Sequence, residues 1–207
     1  MKRKITQISA GLLLTAFLAG CSTATGGGSM PGMDHGASTP ATSSASMSTG
    51  TGTAQAGQHN AADTMFAQMM IVHHQQAVEM SNTMLAKKGT SQRIRDLAAA
   101  IKLAQGPEIE KMKSMLASWG EAETMAAEMP MPGMMSAAEL KKLAATNGTA
   151  ADRLFLTQMI AHHQGALESA KAEQQNGQNA EAVQLAQGIM KNQQPEIDQM
   201  NKLLGEL

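Results

Sequence analysis

The chain has 207 residues, a formal net charge of −1, one cysteine, 19 methionines and only 2% aromatic residues. A single cysteine excludes an internal disulfide framework and a metal site built from thiolates, so packing or a bound ion must hold the fold. The slight acidic excess argues against nucleic acid as a partner. Methionine fills irregular gaps in protein cores, so its placement, not its abundance, has to indicate function.

The N-terminus has the pattern of an export signal. Basic residues 2–4 precede an apolar run over 8–17, which is too short to span a ~30 Å hydrocarbon core comfortably. The segment Leu18-Ala-Gly-Cys21 resembles a bacterial lipobox, and this resemblance implies cleavage of residues 1–20 and lipidation of Cys21. We therefore predict a lipoprotein anchored at the periplasmic or another extracytoplasmic face of the cell envelope, with an uncleaved N-terminal anchor as the alternative.

Residues 21–61 consist mainly of Ser, Thr, Gly, Ala and Gln. Such a segment buries too little apolar surface to offset the entropy that it would lose on ordering. We expect a flexible tether that joins the anchor to a folded part over 62–207. Potential soft ligands occur in this tether at Met30, Met33 and His35.

The folded part contains an internal repeat, with copies at 62–119 and 150–207 and a linker over 120–149. Apolar residues recur at three-and-four spacing in two segments of each copy, which indicates amphipathic helices. Gly89 and Gly177 lie where C-cap glycines would end the first helices. Pro107 and Pro195 should kink the second helices or begin new ones. Because neither hairpin can hide its apolar stripe alone, we expect an all-α four-helix bundle.

The linker is rich in methionine and proline, and its two prolines exclude regular structure. Its closely spaced methionines are Met129, Met131, Met134 and Met135. Ser136 and Glu139 resemble a capping box for a short helix over 139–145. Thr149 and Asp152 offer the same start signal to the third main helix.

Each copy carries a pair of histidines, His73-His74 and His162-His163. Helical neighbours point about 100° apart, so the two rings of one pair cannot easily ligate one ion, although both can border the buried stripe. Met70 stands four residues before His74, and Met159 four before His163, which places a thioether and an imidazole on one helix face in both copies.

A further methionine, Met69, stands four residues before His73, but the second copy has Gln158 at this position. Thioethers are soft ligands that suit Cu(I), and imidazole suits copper in either oxidation state. Without thiolates, this combination selects copper or silver over zinc, calcium or magnesium. Exposed thioethers on flexible tether and linker segments could also gather Cu(I), at lower affinity because binding must order the chain.

Structural roles are the alternative for several of these side chains. The histidine pairs could simply be satisfied at a helix interface. Core packing is the favoured role of Met65, Met80, Met84, Met112, Met115, Met190 and Met200. Solvated helix faces or helix ends are the expected positions of Glu79, Glu108, Glu168 and Glu196.

No motif supports catalysis. The Glu-x-x-His pattern of di-iron bundles is absent, because Met70 and Ile71 stand three residues before the two histidines of the first pair. The sequence also lacks an interpretable Ser/His/Asp set or phosphate loop. We predict that the protein is not an enzyme.

The repeated Met-Ile-x-His-His-Gln-x-Ala-x-Glu and Gln-x-Pro-Glu-Ile-x-x-Met segments resemble the family known as domain of unknown function 305. The resemblance implies a ferritin-like bundle in an exported protein, and some members bind copper in the periplasm. It implies the ligands His73, His74, Met70, Met80, His162, His163 and Met159. The counterpart of Met80 is Ser169, which leaves one shared site and two separate sites both open.

The leading hypothesis is a lipoprotein that sequesters Cu(I) or hands it to copper-handling partner proteins. A metal-free helical interaction module of the cell envelope is the second hypothesis, and a metal oxidoreductase is the third. The sequence does not indicate an oligomeric state.

Overall fold

The structure is a computed structural model, and it describes residues 57–125 and 131–207. These residues contain no strand and form α1 (Ala61–Ala86), α2 (Gln92–Trp119), α3 (Ala137–Ala145), α4 (Gly148–Asn176) and α5 (Ala180–Glu206). Helices α1 and α2 form one hairpin, α4 and α5 form the other, and α1 packs along α4. The predicted all-α bundle of two helical hairpins is confirmed.

Several predictions concern residues outside the described ranges. They are the signal over 1–20, the lipidation of Cys21, most of the tether, and the candidate ligands Met30, Met33, His35 and Met129. Within the described ranges, none of the helices is both long and apolar enough to cross a membrane.

An N-cap side chain accepts backbone hydrogen bonds at the start of α1, α3 and α5, but not at the start of α2 or α4. The Ser136–Glu139 capping box is confirmed, and it begins α3 at Ala137. A second capping box joins Asn60 to Asp63 at the start of α1. The predicted start signal at Thr149 and Asp152 is wrong, because α4 already begins at Gly148. The Asp152 carboxylate instead accepts a hydrogen bond from the Ser91 N–H at 3.1 Å.

Both prolines lie inside continuous helices, Pro107 in α2 and Pro195 in α5. Neither proline begins a new helix. The missing N–H of Pro107 leaves the carbonyl of Leu103 without its helical partner. Because Leu103 is 78% exposed, water can bond to this carbonyl, which lowers the cost of the proline.

The two predicted C-cap glycines behave differently. Gly89 has a left-handed φ of 86° in the turn after α1, two residues beyond the C-cap Lys87. Gly177 is the C-cap of α4, but its φ of −69° is open to other residues. A Cβ at Gly177 would lie 2.8 Å from Asp63 Oδ1 and closer still to the Glu173 carboxyl, so close packing explains this glycine.

The core consists of two apolar clusters. The first cluster lies where the C-terminal half of α1 and the N-terminal half of α4 meet, and it includes Met80, Phe155 and Met159. The second cluster lies where the other halves of these helices meet, and it includes Phe66 and Met70. Because the C-terminal half of each helix meets the N-terminal half of the other, α1 and α4 run antiparallel. Between the clusters, both helices carry their histidine pairs.

Most methionines that we expected in the core are there. Fully or almost fully buried are Met80, Met84, Met112, Met115 and Met200, and Met190 is partly buried against the second cluster. The prediction is wrong for Met65, whose side chain is 44% exposed. Its position on α1 faces a groove and not the interior of the bundle.

A buried carboxyl pair joins the start of α1 to the end of α4. Asp63 and Glu173 are 0% and 2% exposed. Burial, together with the neighbouring Asp63, raises the pKa of Glu173 to about 8. Burial alone would raise the pKa of Asp63 as well, but hydrogen bonds from Glu173 and from backbone N–H groups hold it below its usual value. At neutral pH Glu173 is therefore protonated, whereas Asp63 is ionised.

Glu173 should lower the free energy of unfolding as pH rises from about 4.5 to about 8. The unfolded chain releases the Glu173 proton near its ordinary pKa of 4.5, whereas the folded protein keeps it up to about pH 8. The folded state binds more protons in this interval, so its free energy of unfolding decreases with rising pH. We expect Glu173→Gln, which cannot ionise, to lessen this decrease by at least about 1.4 kcal/mol, the value of one pKa unit.

Urea unfolding at about pH 5 and about pH 8 measures the difference between the two proteins. Glu168→Gln on the exposed side of α4 is the matched control and should follow the wild type. Identical pH profiles of wild type and Glu173→Gln would show that Glu173 does not keep its proton on folding.

Candidate metal centre

Four histidines meet at the centre of the bundle, because antiparallel α1 and α4 bring the two pairs to the same level. We call His73, His74, His162 and His163 the histidine layer. All four are at most 2% exposed. The rings of His73 and His162 are in contact, with centroids 3.7 Å apart and planes at 43°. The structure thus joins one histidine from each copy, which the spacing within a single helix could not show.

The outer histidine of each pair is held by a glutamate of its own hairpin. His74 Nε2 lies 2.8 Å from Glu108 Oε2, and His163 Nε2 lies 2.7 Å from Glu196 Oε2. The expectation that Glu108 and Glu196 occupy solvated faces or helix ends is therefore wrong. The sequence did contain a signal for these two contacts, because the glutamates occupy equal places in the two Pro-Glu-Ile segments. A duplication that copies a histidine also copies the glutamate that binds it.

Hydrogen bonding fixes which ring nitrogen carries the lone pair. A carboxylate or carbonyl oxygen can only accept, so the Nε2 atoms of His74 and His163 carry hydrogen. The same holds for His73, whose Nε2 lies 3.2 Å from the Pro132 carbonyl oxygen. In the neutral form of each of these three rings the lone pair is then on Nδ1. Each Nδ1 is buried and has no hydrogen-bond partner among the described residues.

The central pair, His73 and His162, is neutral. Burial, with the nearby His74, lowers the pKa of His73 to about 3. Burial, with the nearby His73 and His163, lowers the pKa of His162 too. Both nitrogens of His162 are buried without a partner among the described residues. A buried polar atom without a partner costs stability, and a metal ion is one partner that imidazole nitrogen accepts.

Methionines are buried in the apolar clusters on both sides of the layer. Met70 belongs to the second cluster, whereas Met80 and Met159 belong to the first, and all three are at most 1% exposed. Met69 is half-buried and lines the groove beside α1. Over residues 57–125 and 131–207, no three His, Cys, Asp or Glu side chains are grouped to hold one ion. A site with more than two ligands at the layer therefore has to include a ligand of another kind, and methionine sulfur is one such ligand.

The end of the linker covers the histidine layer. The Gln76 side chain accepts from the Met135 N–H at 2.7 Å and donates to the Met135 carbonyl at 2.8 Å. A Cβ at Gly165 would lie 2.8 Å from Gly133 N and would overlap the Pro132 backbone, so this glycine lets the linker reach α4. Gln76 and Gly165 occupy the same place in the two copies and hold the linker in different ways.

This packing corrects the expectation of exposed linker thioethers on flexible chain. The residues Met131, Met134 and Met135 are half-buried. Met135 also packs against the first cluster. Contacts with both α1 and α4 fix this part of the linker directly over His73.

The fold and the site together define a class: helical bundles of two hairpins whose repeated histidine pairs meet in a buried layer. A family model described as "Domain of unknown function (DUF305)" matches residues 63–204, and the chain belongs to this family. No curated protein matches the chain.

Solved structures of three relatives show the same fold. A DUF305 protein from Streptomyces coelicolor, described as a candidate secreted protein, is 35% identical, with 70% of this chain and 91% of that chain covered and a TM-score of 0.67. A DUF305 fragment from Deinococcus radiodurans is 32% identical, with 72% and 98% covered and a TM-score of 0.65. CopM in its Cu(I)-bound form is 31% identical, with 70% and 96% covered and a TM-score of 0.59. CopM has also been solved with Cu(II) and with Ag bound.

Proposed function

We propose that this protein is an exported, non-enzymatic protein that binds Cu(I) at the histidine layer. The observation that carries the proposal is the set of buried imidazoles whose Nδ1 atoms have no hydrogen-bond partner among the described residues, with the central rings of His73 and His162 held neutral. A buried nitrogen without a hydrogen-bond partner lowers the stability of the fold, and a bound metal ion would supply the missing partner. The relatives support the choice of ion, because CopM has been solved with Cu(I), Cu(II) and Ag.

The contact between His73 and His162 favours one site shared by the two copies. Imidazole nitrogens from these rings would be the central ligands. His74 and His163 would be alternative nitrogen ligands, not additional ones, because no three such side chains are grouped to hold one ion among the described residues. Each is oriented by its glutamate, as carboxylates commonly orient metal-binding histidines. Thioether ligands would come from Met70, Met80 and Met159 in the apolar clusters on either side of the layer, whereas Met69 at the groove would contact the ion only during entry. This mixed set suits a soft monovalent ion better than Zn²⁺ or Mg²⁺.

Export and anchoring belong to the same proposal. The Streptomyces coelicolor relative is described as a candidate secreted protein. Lipidation at Cys21 would keep the bundle at the cell envelope, with the tether as a spacer. Met131, Met134 and Met135, with the tether ligands, would be accessory sites that bring Cu(I) to the bundle or pass it to a copper-handling partner.

The test is a titration of the purified protein with Cu(I) against a chromophoric competitor, under reducing and oxygen-free conditions. We expect one tightly bound ion in the layer and a clear rise in melting temperature. At free Cu(I) about 100-fold above Kd, binding stabilises the fold by about 2.7 kcal/mol, which is roughly 5–10 °C for a domain of this size. Ag(I) should act in the same way, whereas Zn²⁺ should have a much smaller effect.

Two other results would point to the alternative functions. A melting temperature that is indifferent to Cu(I) and Ag(I) would support a metal-free interaction module. Steady turnover of Cu(I) to Cu(II) with oxygen would support an oxidoreductase.

A further inference from the structure

A groove opens on one side of the bundle between the N-terminal part of α1 and the C-terminal part of α4. Its volume is about 280 Å³, and its lining from α1 includes Met65, Phe66 and Met69. Ser169 and Glu173 line it from α4. Met65 is one of the few large apolar side chains that the described part of the chain exposes. An exposed thioether beside a half-buried one forms a soft-ligand surface that solvent can reach.

The two thioethers lead toward the histidine layer. Met65, Met69 and His73 are spaced four residues apart on α1, so they lie along one stripe with about 6 Å of rise between neighbours. Their burial increases along this stripe, from 44% exposed at Met65 to 2% at His73, with half-buried Met69 between them. His73 in turn touches His162.

The second copy has no such stripe. Its residues at the corresponding positions are Leu154, Gln158 and His162. The Gln158 amide donates to the Glu139 carbonyl of α3 at 3.2 Å. Helix α3 packs on both α1 and α4 and inserts its buried Leu143 into the first cluster. The position that corresponds to Met69 is therefore buried under α3, and this side of the bundle lacks thioethers at both positions.

We propose that Met65 and Met69 form the entry path by which Cu(I) moves from solution to the histidine layer; this inference rests on the proposed function. At each step a Cu–S bond breaks as a bond to the next sulfur or nitrogen ligand forms. The ion stays Cu(I), and no electron is transferred. Thioethers are suited to such exchange because they are neutral, weak ligands that hold Cu(I) without trapping it.

The test compares loading rates and affinities of the wild type and the double variant Met65→Leu/Met69→Leu. Leucine conserves the approximate volume and apolar character of methionine, so the fold should be retained. Cu(I) is supplied from a chromophoric chelate in a stopped-flow instrument, and its transfer is followed by absorbance. We expect loading to slow by at least about tenfold, which corresponds to about 1.4 kcal/mol in the barrier. Equilibrium affinity should change much less than the rate.

Met190→Leu is the matched control, because Met190 is a half-buried methionine of α5 that lies outside the groove. It should load at the wild-type rate. Equal loading rates of the wild type and the double variant would overturn the entry path and leave the proposed function intact. A loss of affinity as large as the loss of rate would also overturn it, because Met69 would then be a permanent ligand. Failure of the wild type to take up Cu(I) at all would instead refute the proposed function.

Discussion

Replacement of both His73 and His162 by leucine should weaken Cu(I) binding by at least about a hundredfold, because even loss of residues behind metal ligands commonly costs 10- to 100-fold. The same variant should keep its fold in the absence of metal. Both rings are buried and neutral, and three of their four nitrogens have no hydrogen-bond partner among the described residues. Exchange of poorly satisfied polar groups for apolar groups of similar size is nearly neutral or stabilising.

Affinity is measured by competition with a chromophoric Cu(I) chelator, and stability by thermal unfolding of the metal-free protein. His59→Leu is the control, because His59 precedes α1 and stacks on Trp119 at a centroid distance of 4.7 Å, away from the layer. It should bind Cu(I) like the wild type. Unchanged affinity of the His73/His162 variant would place the metal elsewhere. A large loss of metal-free stability would indicate that the histidines are structural.

Two glycine-to-alanine substitutions should change stability in opposite directions. Gly165→Ala places a Cβ against the Pro132 and Gly133 backbone, where no flexible side chain can move aside. We expect it to destabilise the fold by about 1–3 kcal/mol, as overpacking does. Gly188 lies inside α5, and a Cβ there meets nothing within 4 Å. We expect Gly188→Ala to stabilise the fold by about 0.5–1 kcal/mol through helix propensity.

Urea unfolding of the two variants and the wild type gives both values. Because the Gly165 contact holds the linker over His73, Gly165→Ala should also increase amide hydrogen exchange at Met134 and Met135. Gly188→Ala should leave exchange there unchanged. A Gly165→Ala protein as stable as the wild type would mean that the linker does not pack closely on α4.

The local pattern of the sequence was sufficient for the hairpins, the Ser136 cap and the position of the histidine pairs at the buried stripe. Helical periodicity and capping depend on neighbours within a few residues, which the sequence shows directly. The partnership of Glu108 with His74 depends on how α2 is rotated against α1, which no local pattern contains. The same limit applies to the linker, whose methionines pack because Gly165 allows backbone contact from a distant part of the chain.

No pattern in the sequence predicted the buried position of Glu173 beside Asp63. Glu173 aligns with Met84 of the first copy, so comparison of the copies shows only a difference. Its role depends on Asp63, which is 110 positions earlier and comes close only when α1 and α4 run antiparallel. Met65 was wrongly assigned to the core for a related reason. Helical periodicity places a residue on the apolar face of its helix, but it does not show that this part of the face lines a groove.

The near two-fold relation of the hairpins has a consequence for the way the molecule can specialise. In a symmetric dimer of one hairpin, every residue would occur twice in equivalent surroundings, so both sides of the bundle would have to be alike. A covalent link removes this constraint. Met69 can have Gln158 as its counterpart, and Gln76 can have Gly165, while the shared centre stays the same. A single chain can therefore have one face that admits an ion and an opposite face that is closed.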